Sequence, residues 1–182
     1  MTCSTMRSPS VLAALLLSVL LPAGCATPPR PEGSPSRVVV LGASEVPRPA
    51  PRGLVADVFG GEEPRDVVAR EAAEALRARR FTVLWMETLA GPAPTVEQAA
   101  RLAREHHADA TVVLTLTRLD LTAMQPLGQG EVELESLMVG PTGQVWTSQE
   151  RRVPTSERLY QSRTNWRSHV RRAVIQAIQD LP

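Results

Sequence analysis

Lysine is absent: all 20 basic residues of this 182-residue chain are arginine, which reads as the codon bias of a GC-rich genome and not as chemistry. Cysteine is scarce, with only Cys3 and Cys25, so a disulfide framework is excluded. Aromatic residues make up 3% of the chain, and Trp85, Trp146 and Trp166 are scattered. A stacking platform for nucleic acid is therefore not expected, and neither is the basic excess that accompanies one. No apolar run reaches the roughly 20 residues of a membrane-spanning helix. What is present is a 43% hydrophobic fraction, enough for an ordinary core and too much for wholesale disorder.

The longest apolar run, Val11 to Leu21, is interrupted only by Ser18 and follows Arg7. A basic n-region, a short apolar h-region and small residues at its end are the layout of a secretory signal. Leu21-Pro22-Ala23-Gly24-Cys25 resembles the bacterial lipobox, in which the cysteine is diacylated and becomes the mature N-terminus. Residues 1–24 are thus expected to be a lipoprotein signal peptide. With Arg7 removed, the remaining basic and acidic residues balance, and with Cys25 acylated the mature chain has no free thiol. Several acyl chains on one residue exceed the single chain that binds only marginally, so the anchor should be stable. Ala26, where an aspartate would favour retention in the inner membrane, suggests the outer membrane facing the periplasm. Residues 25–36 carry Pro28, Pro29, Pro31 and Pro35 and no large apolar residue, the composition of an extended tether.

Residues 37–182 read as a single α/β domain with a mixed sheet of about five strands in the order βαβαβββα. Val38 to Leu41 is a continuous apolar run closed by Gly42, as in a strand buried on both faces. The proline-rich stretch from Pro47 to Pro51 reads as a surface loop. Pro64 opens a helix with Val68, Ala72, Ala75 and Leu76 on one stripe and acids at its start. Phe81 to Met86 turns to β-rich composition. Thr95 and Gln98 form a capping box before a helix whose buried stripe is Val96, Ala99, Ala100 and Ala103. Ala110 to Leu121 alternates as a strand, with Val112, Leu114 and Leu116 on one face and Thr115 and Thr117 on the other. This β-α-β-α-β order implies parallel neighbours joined by right-handed crossovers.

Gly140-Pro141-Thr142-Gly143 then marks a hairpin. A symmetric turn pairs Val139 with Gln144, Leu137 with Trp146 and Glu131 with Arg152, and sends Val132, Leu134, Met138 and Val145 to the core. A last helix repeats Trp166, Val170, Val174, Ile178 and Leu181 at three- or four-residue steps, with His169 read as a solvent-edge residue.

Catalytic signatures are weak. Gly42-Ala43-Ser44-Glu45-Val46 carries the serine of a nucleophile elbow without its second glycine. His106 and His107 are adjacent, so on a helix they point about 100° apart and cannot face one metal as an i, i+4 pair would. They read as a helix-terminus pair that suits the dipole. Asp120, Glu131, Glu133 and Glu135 recur at period two, as on the wet face of a sheet. No enzyme activity, cofactor or metal is expected. One asymmetry stands out: between residues 151 and 172 seven arginines face only Glu157. Arg151, Arg152, Arg163, Arg167 and Arg171 are the candidate patch for an anionic partner, against the simpler reading of a solvated surface balanced by Glu133 and Glu150.

Three short segments carry a family resemblance. Leu102-Ala103-Arg104-Glu105-His106-His107-Ala108-Asp109-Ala110-Thr111-Val112-Val113 resembles the helix-to-strand junction of bacterial envelope lipoproteins, the CsgG-like curli-secretion and LpoB-like penicillin-binding-protein-activator group. Leu76 to Leu84 matches their step into the preceding strand, and Pro141 to Trp146 is similar to their hairpin. His107 stands where that group usually has glycine, and the long insertion from which the curli protein builds its pore is missing, so pore formation is not implied. Together these features lead to an expectation: a non-enzymatic, lipid-anchored assembly or accessory factor of a bacterial envelope complex, with an envelope protein as partner and no nucleic acid. The alternative is a lipid- or glycan-binding accessory subunit of an envelope transporter.

Overall fold

The computed structural model describes residues 33–47, 61–90, 92–120, 129–156 and 166–182. The expected signal peptide, the acylated Cys25, most of the tether, the loop beyond Pro47 and Arg163 lie outside the described residues. Within them the chain runs β1 (Arg37–Ser44), α1 (Pro64–Ala78), β2 (Thr82–Leu89), α2 (Val96–Glu105), β3 (Ala110–Asp120), β4 (Gln129–Val139), β5 (Val145–Ser156) and α3 (Trp166–Gln179). That is the expected order, in one α/β domain with a single five-stranded mixed sheet.

The strands lie in the order β2-β1-β3-β4-β5. β1 is parallel to both β2 and β3, while β3-β4 and β4-β5 are antiparallel. Passing from β1 to β2 and from β2 to β3 moves in opposite directions across the sheet. Crossovers of one hand must then leave their helices on opposite faces. They do: α1, joined by α3, packs with Val38, Val40, Val112, Leu114, Leu116, Leu134 and Met138, whereas α2 packs with Leu41, Val113 and Val139.

Local chemistry sets the helix ends. Thr95 Oγ1 accepts from the Gln98 amide at 3.2 Å and the Gln98 side chain accepts from the Thr95 amide at 2.8 Å, so the capping box is complete. Pro64 stands in the first turn of α1, where its missing N–H removes no hydrogen bond. Gly42 is where α1 crosses β1. A Cβ there would lie 2.5 Å from the Arg65 carbonyl oxygen and 2.7 Å from the Ala69 Cβ, so no larger residue fits. Both helix-to-strand steps need a left-handed residue, supplied by Arg80 (φ 65°) and His107 (φ 51°). His107 therefore occupies the conformation that glycine adopts without cost, which explains why glycine suits this position.

Three expectations are corrected. The hairpin turn closes through Gly140 N–H to Gln144 O (2.8 Å) and Gly143 N–H to Gly140 O (3.0 Å), with Gly143 at φ 86°. A bulge then inserts Trp146: Val139 pairs with Val145, but Met138 pairs with Thr147, Leu137 with Ser148 and Glu133 with Arg152. At the bulge the offset is one residue, so Val145 turns away from the core (46% exposed) and Trp146 packs against it; past the bulge the offset is two, which restores the alternation, and Val153 is buried opposite Val132. Val96, expected in the buried stripe of α2, is 37% exposed because only Ala99, Ala100 and Ala103 reach the sheet. His169, expected at the solvent edge, is fully buried. α3 lies beside α1 on the same face of the sheet, against both α1 and β4, and it buries a stripe two residues wide: His169 and Val170, Ala173 and Val174, Ala177 and Ile178.

Candidate functional site

The point where the N-terminal segment joins the domain is a densely bonded polar site, with five hydrogen bonds to one carboxylate. Asp109, which ends the step from α2 to β3, accepts from the Ser36 amide (3.1 Å), the Ser36 hydroxyl (3.0 Å) and the Arg37 amide (2.8 Å). It also accepts from Arg37 Nε (3.2 Å) and Nη2 (2.9 Å). In return the Asp109 amide donates to the Arg37 carbonyl at 2.8 Å, and the Thr82 amide donates to the Ser36 carbonyl at 2.8 Å. Burial alone would raise the Asp109 pKa, but these donors outweigh it and hold the carboxyl well below its usual range. The exit of the N-terminal segment is thereby fixed in position and direction.

The arginines expected to form one anionic-partner patch are divided by the fold. Strand alternation places Arg151 on the α1/α3 face and Arg152 on the other. Arg151 pairs with Asp180 beyond the end of α3. Arg152 meets Glu133 at 2.7 Å and Glu131 at 3.5 Å. Arg167 pairs with Glu62 at 3.0 Å and Arg171 with Glu71 at 3.3 Å, while Arg70 of α1 reaches both of those glutamates. Burial of Arg70 would lower its pKa, but its hydrogen bonds to Glu62 and Glu71 reverse that and raise it. The result is an alternating ladder, Arg167-Glu62-Arg70-Glu71-Arg171, that joins α1 to α3. Glu133 takes part in balancing the charge as the sequence suggests, but so do Glu62, Glu71 and Asp180, which periodicity gives no means of assigning.

The period-two acids lie on the sheet face away from α1 and α3. Asp120 pairs with Glu131 across β3-β4, and Arg118 reaches Asp120, Glu131 and Glu133 at 3.4–3.5 Å. Glu135 stands opposite Glu150. No group of three or more metal-ligating side chains occurs among the described residues.

Ser44 and the two histidines do not meet. In the register of β1 with β3, Ser44 pairs with Leu116, whereas His106 precedes the other end, where Val38 pairs with Ala110. Six strand residues place the two ends about 20 Å apart. The Ser44 hydroxyl is engaged with its own backbone, donating to the Val46 carbonyl (2.9 Å) and accepting from the Val46 amide (3.1 Å). His106 stacks on Trp85, with ring centres 5.1 Å apart and planes 15° from parallel. Sequence reading missed this contact, because a stack between a helix end and an edge strand has no periodic signal.

Among the described residues, two surface hollows have defined linings. One, of about 410 Å³, lies along α3 and is lined by Ser168, Arg171, Arg172, Ile175, Gln176 and Gln179. The other, about 260 Å³, lies between the end of β1 and the start of α1, around Ser44, Glu45, Glu63 and Arg65. Both are lined mostly by polar residues. No helix among the described residues is long and apolar enough to cross a membrane.

No protein-family model matches the chain, and no curated protein matches it in sequence. Solved structures of similar fold include the hypothetical protein CT253 from Chlamydia trachomatis. It is 11% identical, with 79% of this chain and 94% of that chain covered, at a TM-score of 0.52. A PelC dodecamer from Paraburkholderia phytofirmans, solved as a point variant, is 15% identical, covering 80% and 87%, at a TM-score of 0.48. Lipoprotein GNA1162 from Neisseria meningitidis is 15% identical, covering 80% and 99%, at a TM-score of 0.43. The likeness to CT253 is one of fold alone.

Proposed function

We propose that this protein is a non-enzymatic bacterial envelope lipoprotein, anchored through Cys25 in the outer membrane with its domain in the periplasm, and that the domain serves as an assembly or accessory factor for an envelope complex. The observation that carries the reading is the lipobox ending at Cys25, followed by a proline-rich segment that leads into β1. The Asp109 clamp supports it, since an anchored domain needs a defined exit for its tether. The partner would be another envelope protein. A reading as a lipid- or glycan-binding accessory subunit of an envelope transporter draws on Arg171 and Arg172 beside the hollow on α3. The polar lining there favours a protein surface over an acyl chain, which needs an apolar channel.

Metabolic labelling with a palmitate analogue tests the anchor. The parent chain is expected to carry label and to fractionate with membranes, and Cys25→Ser to lose both. Unchanged labelling in that variant overturns the lipoprotein reading. Cross-linking in cells, followed by mass spectrometry of the captured chains, identifies the partner.

A further inference from the structure

The charges of the domain are sorted along its strand axis. At the far end, after β1, at the start of α1 and where β3 and β4 pair, lie Glu45, Glu62, Glu63, Asp66, Asp120 and Glu131, with Arg65, Arg70, Arg118, Arg152 and Arg167 set among them and mostly paired to them. The opposite end is the one from which the N-terminal segment leaves, beside Asp109. There α1 and α2 finish, and Arg79 donates to the Ile178 and Leu181 carbonyls, which brings the end of α3 to the same place. Arg37 and Arg101 are neutralised by Asp109 and Glu105. Among the described residues Arg77 and Arg80 are exposed and carry no ion pair, and Arg104 spends one N–H on the Pro141 carbonyl without meeting a carboxylate. The other nearby acids of the described residues are Glu74, one turn back along α1, and Asp180, which is taken by Arg151. Helix C-termini favour basic residues in their last turn, but that attraction is weak at the surface and leaves the positive charge facing outward.

Exposed apolar groups lie beside this basic rim. β2 is an edge strand, and its Leu84 and Trp85 are 40% and 50% exposed, with Trp85 backed by His106. A cationic rim with a half-exposed tryptophan suits the headgroup region of a bilayer, where the charges meet lipid phosphate and the indole sits at the apolar boundary.

We infer that the end of the domain bearing Arg77, Arg80 and Arg104, with Trp85 at its margin, is a docking face for an anionic lipid surface. This rests on the lipid-anchor reading for its biological setting. From Cys25 to Ser36 the chain can extend about 3 nm at ~3.1 Å per residue, so the face can reach the membrane that holds the anchor and the acidic end then points away from it. The tether and the basic face lie at the same end, so docking needs no reversal of the chain.

The test uses the chain from residue 25 onward with Cys25→Ser, which contains every described residue and carries no lipid. It is mixed with vesicles of phosphatidylcholine, alone or with one third phosphatidylglycerol, and bound protein is measured by flotation. Binding is expected to the anionic vesicles only, with a blue shift of tryptophan emission, and to disappear in 0.5 M salt because the contact is electrostatic. The double variant Arg77→Gln, Arg80→Asn is expected to bind roughly 25-fold more weakly, at about fivefold per basic residue. Asparagine is chosen because it tolerates the left-handed backbone at that position. Arg65→Gln, at the far end, should bind as the parent does, and thermal unfolding confirms that each variant is folded. Equal binding to both vesicle types, no binding to either, or full binding by the double variant overturns the inference. So does a cross-linked envelope protein seated on Arg77 and Arg80 in cells. Because the chain used has no acyl group, the result is independent of the Cys25 labelling experiment.

Discussion

On one side of the sheet, Val112, Leu114 and Leu116 of β3 meet Val68 and Leu76 of α1 and Val174 and Ile178 of α3, all fully or almost fully buried. On the other side, the same strand offers Val113 to the alanines of α2, and beyond α2 it carries Arg118 and Asp120 among the glutamates of β4. Large side chains from two helices build a thick apolar layer on the first face. Alanines let α2 lie close on the second, where the Thr111 hydroxyl can donate to the Ala99 carbonyl at 2.8 Å. A strand buried on both faces is thus supported by two different means: deep hydrophobic packing on one, and close approach backed by hydrogen bonds and ion pairs on the other.

The largest expected effect breaks the first means. Leu114→Ala leaves a cavity between two helices and should cost about 3–5 kcal/mol, whereas Val113→Ala, facing the small alanines, should cost roughly 1–2.5 kcal/mol. Urea unfolding of the two variants measures the difference, and equal costs would show that the faces are not distinct. Glu133→Gln comes next, at roughly 1–2 kcal/mol, because Glu133 is nearly buried and is shared by Arg118 and Arg152. Since both arginines are half-exposed, the loss should shrink in high salt, while the Leu114→Ala loss should not.

Asp109→Asn tests the clamp at the edge of the α2 face and is expected to cost about 1 kcal/mol at pH 7. The native carboxyl has a depressed pKa, so its contribution is complete above the unfolded-state value near 4 and is lost as pH falls towards the folded-state value. The gap between parent and variant should therefore be constant from about pH 5 to 7 and close progressively below about pH 4. A gap that widened in acid would contradict the assignment. The smallest expected effect is a gain: His107→Gly removes a left-handed non-glycine residue and should stabilise by about 1 kcal/mol, read as a rise in melting temperature.

Much of the fold is legible in the chain because its elements are specified locally. The capping box at Thr95, the proline at the head of α1, the apolar run of β1 and the alternation of β3 each act within a few residues, and each element forms where the pattern places it. The hairpin is legible as a hairpin but not in register, because the bulge at Trp146 depends on whether indole or valine better fills the space against the core. His169 fails for a related reason. A step of four residues finds the centre of a buried stripe, but its width depends on how many neighbours the helix has.

The candidate site divides in the same way. Residue type and spacing determine the lipobox-like run ending at Cys25, the proline-rich segment that follows it and the surplus of arginine towards the C-terminus. Where that surplus goes is a matter of tertiary structure alone. Folding brings Arg167 and Arg171 onto glutamates about a hundred residues earlier and Arg151 onto Asp180, and it leaves Arg77 and Arg80, from the end of the first helix, exposed beside the point where the N-terminal segment joins. Side-chain periodicity is a property of a few consecutive residues, whereas an ion pair is decided by which surfaces the core brings into contact.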